Sequence, residues 1–447
     1  MKKISSLLFI FLVTGQVTMA QVSLWTFQQC LDTALNNNIS VNQSRLSNEV
    51  NKIALEQTKA SRIPSLSANA NEGLNFGKNV DPTTNAFVTQ SYNSTNFSLN
   101  TGLNLFNGLQ TTNTIRQNRL NVDAGTYDIE KVKNDVTLNI TTAYLQLLFA
   151  YEILSTAKSQ ADGTLAQVDR TIKLVNAGKV PESNLYQIRS QSATDNLSVV
   201  NAQSQLDMAK VNLMQVMEIP ITDSFDIEKP ELVEPSEVVL LNNYDIYQKA
   251  LTVQPQIAGA TTRTSSALMG IKVSQGARYP KLNLSAGMNT NYASSRKKGS
   301  NVNPEGYPFG EQLWDNLGQT FGLGLSIPIY SNRQIKSNID RAKINAMNVQ
   351  LNEKNVKNQL RKSIEQTYTD LKSALKKYEA TKEQLSAAES SYSNMTTKYN
   401  VGLSNAIDFL VEKNNYFNAQ SNLIQAKYDY IFKTKILNFY QGQAIKF

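Results

Sequence analysis

The sequence predicts an α+β membrane architecture. Long antiparallel α-helices form most of the chain, and four strands per protomer contribute to a shared transmembrane β-barrel, on an internal two-fold repeat. Three observations predict it. The stretch Leu109–Ala177 has no proline, and its interior glycines, Gly125 and Gly163, are isolated. The two halves of the chain match each other in register. Four stretches of alternating apolar and small polar residues sit at matching points of those halves.

Along the long stretch, apolar residues recur from Val132 through Ile140, Leu147, Leu154, Ala161 and Val168 to Val175. Their spacing of about 3.6 residues lies between a coiled-coil seam and a straight helix. At 1.5 Å per residue such a helix runs roughly 100 Å, far beyond the width of a compact domain. The chain is therefore an extended helical object.

The N-terminus begins Met1-Lys2-Lys3, continues mostly apolar from Ile4 to Val13, and reaches Thr18-Met19-Ala20. A basic start, a short apolar run and a small-residue cleavage site make residues 1–20 a secretory signal peptide. Cys30 lies ten residues inside a mature chain starting at Gln21, so N-terminal acylation is not suggested. No later run of about 18 apolar residues predicts a transmembrane helix, so the exported chain is either soluble or meets a membrane as β-strands.

Composition excludes whole classes of chemistry. With no histidine and one cysteine, Cys/His metal sites, Ser-His-Asp triads, Cys-His dyads and intrachain disulfides are ruled out. No phosphate-binding glycine loop is visible. The reading is no enzyme, no catalytic residue, no metal and no cofactor. Losing Lys2 and Lys3 with the leader lowers the formal net charge from +8 to +6. That excess is spread along solvated helix faces, so no nucleic-acid partner is expected. A mean hydropathy of −0.35 is low for a chain of 447 residues and fits a wall wetted on two sides.

The duplication sets the boundaries. At an offset of 216, Ile53-Ala54-Leu55 matches Met269-Gly270-Ile271, and Arg62-Ile63-Pro64 matches Arg278-Tyr279-Pro280. At an offset of 224, Phe97-x-Leu99 matches Phe321-x-Leu323, Val132-Lys133-Asn134 matches Val356-Lys357-Asn358, and Gly178 matches Gly402. The change of offset falls between Ala70 and Phe97, so one loop there is longer in the second copy. The first repeat spans 21–217: a helix, a strand pair at 66–77 and 94–106, a long helix at 109–177 and a returning helix at 181–217. A proline-bearing equatorial linker covers 218–243. The second repeat, 244–447, has strands at 282–292 and 319–330, a long helix at 333–400 and a returning helix at 405–440.

Each element has a local cause. Pro64 ends the helix Ser40–Ala60 by removing a donor and restricting its neighbour. Leu66, Ala68 and Ala70 alternate with Ser67, Asn69 and Asn71, and Leu282, Leu284 and Ala286 alternate with Asn283, Ser285 and Gly287. Strands of about ten residues with one apolar and one small-polar face suit lipid on one side and water on the other. Four strands cannot close a barrel, and an open edge cannot sit in lipid. Closure at about eight strands or more needs at least two protomers; three would give twelve. Each shorter helix returns along its long partner, so a protomer contributes four helical columns.

These features resemble the outer-membrane efflux family, the TolC-like channels. The resemblance rests on the duplicated plan, the Arg-x-Pro strand entries at Arg62–Pro64 and Arg278–Pro280, and the turn from Lys398 to Asp408. That turn carries an aromatic, Tyr399, before Val401-Gly402-Leu403, and an Asp six residues after the glycine. The resemblance implies a homotrimer with a twelve-stranded barrel in outer-membrane lipid and a twelve-helix tunnel across the periplasm. It implies a passive exit duct of a tripartite efflux or type I secretion system, docked to a periplasmic adaptor and an inner-membrane transporter. Gly178, Val401, Gly402 and Leu403 become tip residues in contact with the adaptor. Tyr399 and Asp408 match gate positions, whereas Ser404 and Val411 stand where the family has an arginine and a second aspartate. The competing expectation is an exported coiled-coil scaffold or adhesin without a pore.

Overall fold

A computed structural model describes residues 24–80, 85–230, 242–298 and 305–447. The expected signal peptide, residues 231–241 of the linker and parts of both strand-connecting loops lie outside the described residues. Helices come in equal pairs. α1 (Phe27–Asn37) and α5 (Asn243–Val253) have 11 residues each. α2 (Ile39–Ala60) and α6 (Pro255–Gly276) have 22. α3 (Gln110–Asn176) and α8 (Gln334–Asn400) have 67. α4 (Glu182–Val216) and α9 (Ala406–Tyr440) have 35. No helix among the described residues is long and apolar enough to cross a membrane.

The strands β1 (Ser65–Asn75), β4 (Tyr92–Asn107), β5 (Lys281–Ala293) and β8 (Gly318–Ser326) form one antiparallel sheet in the order β1-β4-β5-β8. The last strand ends at Ser326 rather than at residue 330, because Pro328 cannot donate to a ladder. β1 ends at Asn75, just before Gly77 takes a φ of 116°. The loops hold more than expected: the hairpin β2 (Lys78–Val80) with β3 (Phe87–Thr89), the pair β6 (Lys297–Lys298) with β7 (Glu305–Gly306), and the seven-residue helix α7 (Phe309–Asp315).

Strand order and helix order agree. Nearest the sheet, α2 packs on α3, α3 on α6 and α6 on α8. Each of these helices continues directly from, or into, one strand of the sheet. Asn118 Nδ2 donates to Thr58 Oγ1 (2.8 Å) and Ser266 Oγ donates to Asn121 Oδ1 (2.6 Å), tying α2 and α6 to opposite flanks of α3. Farther from the sheet α4 replaces α2, and α9 replaces α6, giving the order α4-α3-α9-α8. One protomer is thus a curtain of four columns, with α2/α4 along one edge and α8 along the other.

Strand meets helix at a sharp swivel. Gly108 and Leu109 (φ 65° and 62°) precede α3, and Asn332 and Arg333 (φ 47° and 62°) precede α8. Two successive left-handed residues turn the chain from the sheet into the helix axis at both places.

Midway along α3 an apolar belt closes around it. Phe27 meets Tyr144 edge-on at 5.3 Å and Phe447 at 4.7 Å. Trp25 bridges Ile227, and the Tyr144 hydroxyl donates to Glu228 O (2.8 Å). Cys30, fully buried here, has its thiol pushed up to about 12 by burial, which keeps it neutral and unreactive at physiological pH. Away from the belt much apolar surface stays bare: Phe321 is 83% exposed and Ile329 94%.

Candidate functional site

The site is the end of the helical curtain farthest from the sheet. Here α3 turns into α4 at Gly178, and α8 turns into α9 at Gly402. Both glycines have positive φ, 68° and 78°, and a Cβ at either would meet nothing within 4 Å. Their role is conformational: they end a helix in the left-handed region. Both turns close with the same pair of bonds. Gly178 N–H donates to Val175 O and Lys179 N–H to Leu174 O (both 2.9 Å). Gly402 N–H donates to Tyr399 O (3.2 Å) and Leu403 N–H to Lys398 O (2.9 Å). This reversal satisfies carbonyls that a helix end leaves open.

The apolar residues of the second turn face solvent. Val401 is 66% exposed, Leu403 78% and Ile407 56%. α9 then starts from Asn405, whose side chain accepts from Asp408 N–H (2.8 Å). The Asp408 side chain is exposed in the first turn, where the helix dipole favours a carboxylate. Tyr399 points elsewhere: its ring stacks on Phe409 at 4.8 Å with a 17° interplanar angle. Within one protomer the Tyr399 ring is therefore engaged in packing. Ser404 donates to Met395 Sδ (3.1 Å), and Val411 is 50% exposed.

What holds the two hairpins together lies deeper. Val168, Ile188 and Ala406 form a small apolar cluster across α3, α4 and α9. Arg170 donates from Nη2 to Asn400 O (2.7 Å). Above them sits a buried ion pair: Lys413 of α9 and Asp195 of α4, 3.0 Å apart, with side chains 2% and 1% exposed. Lys413 also donates to Gln160 O (3.1 Å) and to the Thr164 hydroxyl oxygen, both on α3. Asp195 accepts from Gln160 Nε2 (2.9 Å), Gln191 Nε2 (2.8 Å) and the Thr164 hydroxyl. Burial pulls the Lys413 pKa below its ordinary value, against the carboxylate that raises it. Three helices from both halves of the chain converge on this pair.

The ion pair is absent from the sequence-level site. Its signal was a violated pattern: Asp195 falls seven residues after buried Ile188 and seven before buried Ala202, on the face that should be apolar. Lys413 likewise follows buried Ala406 and Phe409 along α9. Charge on one seam has meaning only when an opposite charge on another helix faces it.

The chain is similar to known proteins over most of its length. The family model "Outer membrane efflux protein" matches residues 30–217 and 246–438. The chain is 24% identical over 325 residues to "Outer membrane protein TolC" of Escherichia coli, covering 71% of this chain. The aligned part spans 63% of that relative's length. It is 20% identical over 422 residues to "Outer membrane efflux protein BepC" of Brucella suis, covering 94% of this chain and 85% of BepC. Among solved structures, CusC superposes with a TM-score of 0.78 at 17% identity, over 94% of this chain and 92% of CusC. VceC of Vibrio cholerae gives 0.77 at 15% identity, over 94% and 97%.

Proposed function

We infer the function from the premise that this chain belongs to the outer membrane efflux protein family: it is an exit duct in the outer membrane with its helical tunnel in the periplasm. Members of this family are channels rather than enzymes. The duct is passive, a water-filled path whose energy comes from an inner-membrane transporter, joined through a periplasmic adaptor in a tripartite efflux or type I secretion system.

One observation carries the reading. The sheet has two free edges, β1 and β8, and a face bearing Phe321, Leu323 and Leu325 at 63% exposure or more. Open edges cannot sit in lipid, so other copies have to pair with them. The columns repeat the same edges, α2/α4 on one side and α8 on the other. Three copies then give a twelve-stranded barrel continuous with a twelve-helix tunnel.

Crosslinking tests the assembly. With Ala68→Cys on β1 and Leu323→Cys on β8, oxidation in outer membranes is expected to produce a ladder ending at three chains. Buried Cys30 stays silent. A chain that remains monomeric on oxidation and conducts nothing in planar bilayers overturns the reading.

The tip follows from the same reading. Six turns, two per copy, ring the tunnel end. Val401, Gly402, Leu403 and Gly178 form the adaptor contact, and Asp408 places a ring of negative charge at the mouth, with Tyr399, stacked on Phe409, as the second gate residue. Leu403→Asp is expected to abolish adaptor-dependent export while leaving single-channel conductance in bilayers intact. Asp408→Ala is expected to change conductance or cation preference, and unaltered behaviour in both conductance and export removes Asp408 from the gate.

A further inference from the structure

We propose that α7 and the apolar hollow beside Leu317, just past its C-terminal end, form a lipid-binding collar, which holds an outer-leaflet lipid against the barrel wall and sets the depth of the barrel. The proposal rests on the outer-membrane reading above.

The register places Phe97 and Leu99 of β4 opposite Thr290 and Met288 of β5. These share the apolar face with Leu284, Ala286 and Tyr292, the face turned to lipid. α7 lies on this face at its end farthest from the helices. The Phe309 ring meets Phe97 at 6.4 Å and Tyr292 at 5.0 Å, both edge-on.

α7 is firmly held. Gln312, fully buried, accepts from Ala293 N–H (3.1 Å) and donates to Ala293 O (3.1 Å) and Tyr307 O (2.8 Å). Thr290 Oγ1 donates to Leu313 O (2.6 Å), and Asn316 Nδ2 to Asn291 O (2.7 Å). Yet this tethered helix presents Trp314 at 78% exposure and Phe309 at 47%. Its two carboxylates are engaged: Glu311 with Lys298 (2.6 Å) and Asp315 with the Tyr307 hydroxyl. An outward tryptophan beside paired charges suits the headgroup boundary, where an amphipathic ring has one apolar and one wet side.

The height agrees. Leu282 to Tyr292 covers roughly ten residues, and at about 3.3 Å each with a tilt near 40° this is about 25 Å, the apolar band of an outer-membrane barrel. At the band's other end Tyr279 is 58% and Tyr330 81% exposed. Aromatic side chains therefore bracket the band, and α7 marks its outer limit. Between Leu317 and the strand face lies a hollow of about 380 Å³, lined mainly by Ala68, Ala70, Phe97, Leu99 and Met288. The two alanines of β1 leave the space. Its apolar lining suits an acyl chain, with the headgroup beside Trp314.

The chain supplies its own probe, because it has only two tryptophans. The other, Trp25, packs against Phe225 (6.0 Å) in the belt around the middle of α3. Full-length Trp25→Phe protein is reconstituted into phosphatidylcholine vesicles brominated at shallow or deep acyl positions, with insertion checked by flotation and conductance. Trp314 emission is expected to be largely lost, more with shallow than with deep bromine. Inserted, conducting protein whose Trp314 is unquenched overturns the collar and leaves the duct standing; protein that neither floats nor conducts overturns both. Ala70→Phe fills the hollow, and lipid extracted from detergent-purified protein is expected to fall relative to wild type. Equal lipid in the two removes the hollow from the proposal.

Discussion

Lys413→Met is expected to destabilise the protein by about 3–5 kcal/mol, because it leaves Asp195 buried without a counter-charge. Asp195→Leu strands Lys413 in the same way. The double variant, Lys413→Met with Asp195→Leu, is expected to recover most of the loss or to exceed wild type by about 1–4 kcal/mol, since an apolar pair carries no desolvation penalty. Chemical unfolding followed by circular dichroism reads all three. Single variants as stable as wild type would show that water reaches the pair. The pair is also the deepest link between the α3/α4 hairpin and α9. With it cut, the tip retains the small cluster of Val168, Ile188 and Ala406 and the exposed Arg170–Asn400 bond. In bilayers the single variants are therefore expected to open more often or to a higher conductance than wild type. A stability loss with unchanged conductance would confine the pair to folding.

Gly108→Ala is expected to damage the junction of barrel and tunnel. A Cβ there would stand 2.1 Å from Gly276 O and 2.9 Å from Tyr279 Cβ, on a residue with φ of +65°. A left-handed non-glycine residue costs about 1–2 kcal/mol, and forcing the packed backbones apart adds about 1–3 kcal/mol. Relief is hard, because Gly276 is itself packed against Gly108 O, which a Cβ would approach to 2.6 Å. The corresponding residue before α8, Asn332, has φ of 47° and is exposed. Asn332→Ala therefore carries only the backbone cost, about 1 kcal/mol. A thermal melt comparing the two variants checks this, and equal shifts would show that the Gly108–Gly276 approach contributes nothing.

Much of the candidate site was legible because its causes are local. Gly178 and Gly402 were readable as reversals, since each ends an unbroken helical pattern and a left-handed residue is needed there. The apolar exposure of Val401 and Leu403 follows from their place at the turn. Tyr399 carries both a motif position and a place on the apolar stripe. Its spacing from Gly402 matches a gate position, and its ring stacks on Phe409, a neighbour that sequence distance alone does not select. The Lys413–Asp195 pair was illegible for a related reason. Each residue alone is a charge on an apolar seam, and only the convergence of α3, α4 and α9 makes the two charges partners.

By itself the sequence determined the long helices, the alternating strands and the two tip reversals. Those depend on side-chain periodicity, on proline and glycine, and on interactions within a few residues. Only the tertiary structure decided that β4 pairs with β5 across the two halves, and that α6 and α9 of the second half also pack on α3 of the first. It likewise decided that α7 folds onto the apolar face of the sheet and that a lysine and an aspartate 218 positions apart share one buried site. Each of these is a contact between segments far apart in the chain, chosen by which surfaces can be buried together, and no local pattern encodes that choice.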